Sequence, residues 1–156
     1  MRDGRSGPLP ATPSDAGPAK RGSACYVALE GEDRIVGFYT LAATGILLTD
    51  LPEKTRRGLP LYPLVPAALL GRLAVDHRFQ GQGLGAALLA DALDRVCAPS
   101  IAVHALVVQA KDGEGARFYR HHGFLPLLQR PETLFLPLAT WEALRPDSEG
   151  SRNSNR

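Results

Sequence analysis

The stretch GRLAVDHRFQGQGLGAALLADAL, residues 71–93, constrains the fold of this chain more than any other. GRLAVD reads as a strand, with Leu73 and Val75 on one face and Arg72, Ala74 and Asp76 on the other. LGAALLADALDRV then repeats at helical spacing. Leu84, Leu88, Ala92 and Val96 share a face that Leu89 and Leu93 widen. Between strand and helix stand Gly81, Gly83 and Gly85. The first N–H groups of a helix have no internal partner, and the helix dipole adds partial positive charge there. Glycines without Cβ atoms let an anion approach that backbone closely. The arrangement suits a phosphate or pyrophosphate. It gives up about 1 kcal/mol per glycine relative to alanine in a helix interior.

Two strands precede this unit. ACYVALE and RIVGFYTL are β-rich runs around the polar turn EGED, which predicts a hairpin, and LAATGILLT can continue its sheet. Residues 52–68 are rich in proline and read as a loop with at most a short strand. After the helix, which Pro99 ends, IAVHALVVQA is apolar nearly throughout and reads as a central strand. KDGEGARFYRHHG predicts a second helix with Gly123 as its left-handed cap. FLPLLQ and TLFLPL look like two closing strands. Asp91 and Arg95 are spaced to pair across one turn on the outer side of the first helix. This order predicts a mixed α/β fold, a mixed central β-sheet flanked by helices.

The chain has 156 residues, which suggests one domain. Residues 1–22 are dominated by Gly, Pro, Ser and Ala and predict a disordered or irregular N-terminal segment. Residues 23–142 form the expected packed domain, and residues 143–156 a polar C-terminal tail. The net charge of +2 is compatible with a local nucleic-acid patch without demonstrating one. Cys25 and Cys97 stand without a motif and predict reduced thiols in a cytoplasmic protein. No run is long and apolar enough to span a bilayer, and no secretion signal is evident. His77, His104, His121 and His122 show no ligand spacing, so no metal is expected.

Three phosphate-binding motifs compete for the glycine turn. A P-loop needs Gly-Lys-Ser/Thr after the glycines, and none follows. A dinucleotide fingerprint needs Gly-x-Gly-x-x-Gly and an acidic residue at the end of the next strand, and VHALVV offers none. Gln80-x-x-Gly83-x-Gly85, after a strand and opening a helix, resembles the pyrophosphate motif of the GCN5-related N-acetyltransferases (GNAT). The aromatic pair and closing glycine of ARFYRHHGF extend the resemblance. GFYTLAATGI, LPLYPLVPAALLGRLAVD, VVQAKDGEGARFYRHHGF and ETLFLPL narrow it to the acetyltransferase toxins of bacterial toxin–antitoxin pairs.

That resemblance implies the GNAT fold, acetyl-CoA as cosubstrate, and acetylation of the amine of aminoacyl-tRNA, which inhibits translation. It implies a ribbon-helix-helix antitoxin as partner and, in some members, a homodimer. Carried onto this sequence, Leu73, Ala74 and Val75 hold the pantetheine arm. Gln80, Gly81, Gln82, Gly83, Leu84 and Gly85 hold the pyrophosphate, and Ala86 keeps its approach open. Lys111 can reach the 3′-phosphate. Tyr119, with an ordinary pKa of about 10, is the general acid for the departing sulfur. Phe118 packs. No residue is compelling as general base, because an aminoacyl ester amine, with a pKa no higher than about 8, is partly uncharged at neutral pH. Lys54, Arg56, Arg57, Arg72, Arg78, Arg117 and Arg120 are candidates for contacts to the nucleic acid, as is Lys111 where it does not reach the cosubstrate.

One departure accompanies the resemblance. The toxins usually begin with short helices that line the acceptor site, carrying a Leu-Asp element and a tryptophan or phenylalanine, and residues 1–22 lack that pattern. It motivates a non-enzyme alternative, an acetyl-CoA- or antitoxin-binding remnant. An enzyme acting on a protein N-terminus or small amine is the other alternative.

Overall fold

The computed structural model describes residues 12–13, 22–98, 102–110 and 112–144. Lys111, Pro99, Ile101 and most of the two expected terminal segments lie outside the described residues. Among these residues seven strands form one sheet in the order β1-β2-β3-β4-β5-β7-β6. They are β1 (Thr12–Pro13), β2 (Ala24–Glu30), β3 (Arg34–Leu47), β4 (Leu64–Val75), β5 (Ala105–Gln109), β6 (Leu125–Pro126) and β7 (Thr133–Pro137). Four helices accompany them: α1 (Glu53–Arg56), α2 (Leu84–Val96), α3 (Gly113–His121) and α4 (Leu138–Leu144). Among the described residues only β4 and β5 pair in parallel, joined through α2, and every other neighbouring pair is antiparallel. The mixed α/β sheet fold is the one expected from the sequence.

Strand alternation gives the sheet two buried faces. Leu106 and Val108 of β5 point to one side with Ala68, Leu70, Leu134 and Leu136, and meet Leu88, Leu89, Ala92, Leu93 and Val96 of α2. Ala105 and Val107 point to the other, with Val65, Ala67, Phe135 and Ile46, where Leu51, Leu48 and Leu59 cover them. The connection between β3 and β4 therefore crosses the face opposite α2. Asp50 pins that crossing. It is 1% exposed, and its carboxylate accepts Gln129 N–H at 2.6 Å and Arg130 Nε at 3.1 Å. Satisfied on both oxygens, it is a buried charge the fold can tolerate.

Several sequence expectations change. The segment 52–68 is not mostly loop: β4 begins at Leu64 and runs through Pro66. Proline lacks an N–H, so a central strand normally rejects it. Here the Pro66 carbonyl accepts from His104 N–H at 2.9 Å, on the β5 side. The missing N–H faces that same side, ahead of the first β4–β5 pair at Ala68↔Leu106, so no bond to β3 is lost. RIVGFYTLAATGIL is one continuous strand of 14 residues. IAVHALVVQA yields only the shorter β5, and FLPLLQ only the two-residue β6. TLFLPL does end in a strand, but the chain turns at once into α4, whose Trp141 donates to Asp94 at 3.0 Å. Within the N-terminal segment, Thr12 and Pro13 pair with Val27 and Tyr26.

The Asp91–Arg95 pair forms at 3.1 Å, but it faces the sheet instead of solvent. The Tyr39 hydroxyl donates to Asp91, Arg95 Nε donates to that hydroxyl at 2.8 Å, and the guanidinium lies 4.2 Å from the Tyr26 ring centre. Burial, then the hydrogen bond to Asp91, drives the Tyr39 pKa upward. This cluster fastens α2 to β2 and β3.

Candidate active site

Strands β4 and β5 part company where the site begins. Their last parallel pair is Leu70↔Val108, yet β4 continues to Val75. The parting coincides with a bulge: Leu41 faces Leu70 and Tyr39 faces Leu73, so Gly71 and Arg72 together oppose the single residue Thr40. Arg72 N–H donates to Thr40 Oγ1 at 3.0 Å, and Asp76 N–H donates to the Val36 carbonyl at 2.8 Å. Both therefore point toward β3. By the two-residue period of a strand, Ala74 N–H does too, while Leu73 and Val75 turn their N–H groups to the side β5 has vacated. Two of the three expected strand residues thus offer donors to an open gap, and Ala74 does not.

The turn that follows closes one end of the gap. Asp76 accepts Arg78 N–H at 2.9 Å, and this bond chiefly holds the Asp76 carboxyl below its ordinary pKa. Gln80 does not extend its side chain into the gap freely: Nε2 donates to the Val75 carbonyl at 3.2 Å and ties the turn to the strand. Gly81 and Gly83 have φ of 78° and 82°, the left-handed region that side chains resist. No atom lies within 4 Å of a Cβ placed on either. The space a side chain would fill stands open above the first turn of α2, where the N–H groups of Leu84, Gly85 and Ala86 emerge. An anionic group fits there in shape and charge. Gly85 differs. It lies inside the helix, and a Cβ there would meet Phe118 at 3.6 Å, an ordinary contact.

That contact brings the aromatic pair to the glycine turn. The α3 helix starts on Asp112, whose carboxylate accepts Gly115 N–H at 2.6 Å, and Gly123 beyond its end has φ of 94°, as expected. Phe118 packs edge-on against Tyr119 and His122. Tyr119 also packs edge-on against Phe124, with ring centres 5.3 Å apart. Its hydroxyl has no hydrogen-bond partner among the described residues. Since no buried side-chain polar atom there goes unpaired, it reaches solvent. Burial of the ring pushes the Tyr119 pKa up to about 12, so the phenol keeps its proton. Burial, then neighbouring His121, lowers the His122 pKa.

The candidate arginines are not gathered. Arg72 is exposed on β4 beside the gap, and Arg78 lies in the turn with Nε 3.5 Å from Asp76. Arg117 donates to Gly113 of its own helix at 3.2 Å. Arg56 ends α1 and Arg57 caps it, pairing with Glu53 at 3.5 Å. A cavity of about 590 Å3 under α1 is lined by Lys54, Val65, His104 and Pro137. It lies at the opposite end of β4 from the gap and holds none of the expected cofactor residues. Among the described residues no group of three or more His, Cys, Asp or Glu side chains can hold a metal. Thr40 carries no motif in the sequence, where it is one threonine in a β-rich run.

A splayed parallel pair, a glycine turn opening a helix and a following aromatic pair together define a site for an extended ligand with an anionic end. The family model described as "Acetyltransferase (GNAT) domain" matches residues 21–126, and the chain belongs to that family. It is 44% identical over 105 residues to a tRNA-acetylating toxin of Mycobacterium tuberculosis, an alignment covering 66% of this chain and 61% of that protein. Its structure resembles AtaT in complex with acetyl-methionyl-tRNAfMet, with a TM-score of 0.72 and 34% identity over 78% of this chain and 75% of that one. It also resembles a mutant AtaT toxin bound to the C-terminus of the antitoxin AtaR and acetyl-CoA, with a TM-score of 0.63 and 29% identity over 78% and 71% of the two chains. The chain is a GNAT-family protein related to tRNA-acetylating toxins. No helix among the described residues is long and apolar enough to cross a membrane.

Proposed function

We propose that this chain is an acetyl-CoA-dependent N-acetyltransferase that acetylates the amine of aminoacyl-tRNA and so inhibits translation. The observation that carries the chemistry is the pair of unclaimed N–H groups, Leu73 and Val75, facing a gap that ends at an open glycine turn. The extended pantetheine arm of acetyl-CoA lies along such a strand edge as a surrogate strand. Its pyrophosphate meets Gly81, Gly83 and the first N–H groups of α2. The uncharged amine attacks the thioester carbonyl, forming the C–N bond, and negative charge grows on the oxygen. A preorganised N–H from β4 stabilises that charge. The C–S bond then breaks, Tyr119 gives its proton to the departing sulfur, and the proton lost from the acylated nitrogen passes to solvent, from which Tyr119 is reprotonated. The amine needs little help to deprotonate, so no dedicated base is required.

The choice of aminoacyl-tRNA as acceptor rests on the likeness to the mycobacterial toxin and to AtaT with its acetylated tRNA. Arg72 and Arg78, nearest the gap, contact phosphates of the acceptor end, and Arg56, Arg57 and Arg117 contribute at longer range. An antitoxin partner follows from the same likeness. The test is transfer of labelled acetyl from acetyl-CoA to total charged tRNA, with uncharged tRNA as control. Label on charged tRNA that is lost in Tyr119→Phe supports the reading. Binding of acetyl-CoA with no transfer to charged tRNA overturns the acceptor assignment and leaves a small amine, a protein N-terminus or a non-catalytic remnant.

A further inference from the structure

The gap between β4 and β5 exists because β4 carries one residue more than β3 can match. Such a bulge leaves backbone donors and acceptors out of register, and something has to fix which way they turn. Here a side chain from the neighbouring strand does it. Arg72 N–H, the donor of the second bulge residue, is held by Thr40 Oγ1 at 3.0 Å. The first bulge residue, Gly71, makes room: a Cβ there would stand 2.8 Å from the same oxygen. Gly71 has no left-handed φ, so its lack of a side chain serves this contact and not the backbone conformation. With Arg72 N–H anchored toward β3, the next N–H groups alternate away, toward and away again. Leu73 and Val75 consequently face the gap.

We propose that Thr40 is a positioning residue for the cosubstrate: its hydroxyl sets the rotation of β4 that presents the Leu73 and Val75 N–H groups to the pantetheine arm. This rests on the acetyl-CoA reading given above. Thr40 itself touches neither cosubstrate nor acceptor, and acts through the Arg72 amide. Its hydroxyl oxygen is the required group, so serine substitutes for it and valine does not, although valine keeps the β-branched shape that suits a strand.

The test is calorimetric titration of the full chain with acetyl-CoA, for wild type, Thr40→Val, Thr40→Ser and Gly71→Ala, each first checked by its thermal melt. Thr40→Val is expected to weaken binding about fivefold, the scale of one hydrogen bond lost net of water. Thr40→Ser stays within about twofold of wild type, since its hydroxyl can make the same bond. Gly71→Ala, whose methyl displaces the hydroxyl, weakens binding like Thr40→Val. It decides the matter if the valine variant fails to fold. Wild-type affinity in Thr40→Val, or in Gly71→Ala when the valine variant is unfolded, overturns the proposal. A serine variant as weak as valine also overturns it, because the hydroxyl would then not be the operative group. A wild-type chain that does not bind acetyl-CoA at all overturns the reading on which the proposal stands, and is recognisable because every variant is then equally silent.

Discussion

Tyr119→Phe separates chemistry from structure unusually well. The substitution removes one hydroxyl and leaves the ring contacts to Phe118 and Phe124 in place. That hydroxyl has no partner among the described residues and reaches solvent, so its loss should change unfolding free energy by less than about 0.5 kcal/mol. Acetyl-CoA affinity should also hold, because the donors assigned to the cosubstrate are backbone groups on β4 and α2. Turnover should fall by roughly 100- to 10,000-fold, the range for loss of a positioned acid. The pH profile adds a second constraint. The phenol pKa is pushed up to about 12 by burial, so wild-type turnover should climb as the amine deprotonates near about pH 8 and then stay level to about pH 10, where an unshifted phenol would have lost half its protons. Single-turnover acetyl transfer across pH, with titration and melts on the same samples, reads all of these quantities. A roughly tenfold loss of acetyl-CoA affinity, or an alkaline limb at the ordinary phenol value of about 10, refutes the assignment.

Gly83→Ala forces a side chain to φ of 82° in open space, so the expected cost is the left-handed strain alone, about 1–2 kcal/mol by denaturant titration. Gly58→Ala, with no positive φ and no neighbour within 4 Å, should be near neutral in the same assay. Asp50→Asn should cost about 2 kcal/mol, because it weakens two charge-assisted bonds at a site 1% exposed and turns an amide against Arg130 Nε. Arg130→Gln should cost about 1–2 kcal/mol, because a glutamine amide can donate to Asp50 Oδ2 only without the guanidinium's charge, at a carboxylate 1% exposed. Burial raises the Tyr39 and Tyr119 pKa values in the folded chain, so their contribution is complete below the unfolded value of about 10 and is lost as pH climbs through the folded values. Melts from pH 8 to 12 should therefore show falling stability above about pH 10, less steeply in Tyr119→Phe.

What the sequence disclosed depended on whether a signal was local. The hairpin, α2, α3 with Gly123 beyond its end, and the glycine turn rest on periodicity, caps and turn residues, which are readable within a short window. The start of β4 was hidden because proline argues against a central strand. Its acceptability depends on β5 having not yet begun, a fact set by residues far along the chain. The Asp50 pin links residues 79 and 80 positions apart, and Tyr39 meets Asp91 across 52. No local pattern announces such pairs. The helix α4 was missed because LATWEAL follows a strand without a break, and its docking depends on Asp94 of α2.

The bulge sits between these extremes, and the pattern of β4 demands it. Ala68 and Leu70 face α2, and so do Leu73 and Val75. A regular strand cannot do this, because a three-residue step from Leu70 to Leu73 reverses the face. Without an inserted residue, Arg72 and Ala74 would continue the row of Ala68 and Leu70. The Arg72 guanidinium would then be buried under α2 with no counter-charge, at a cost that dwarfs the loss of one ladder bond. Inserting one residue lets both apolar pairs reach the same core, but it obliges β4 to turn and leave β5. The hydrophobic pattern that packs α2 thus also opens the gap. The gap is a consequence of where four apolar side chains must go, and the Thr40 hydroxyl, with room made by Gly71, holds the Arg72 amide toward β3 once they have gone there.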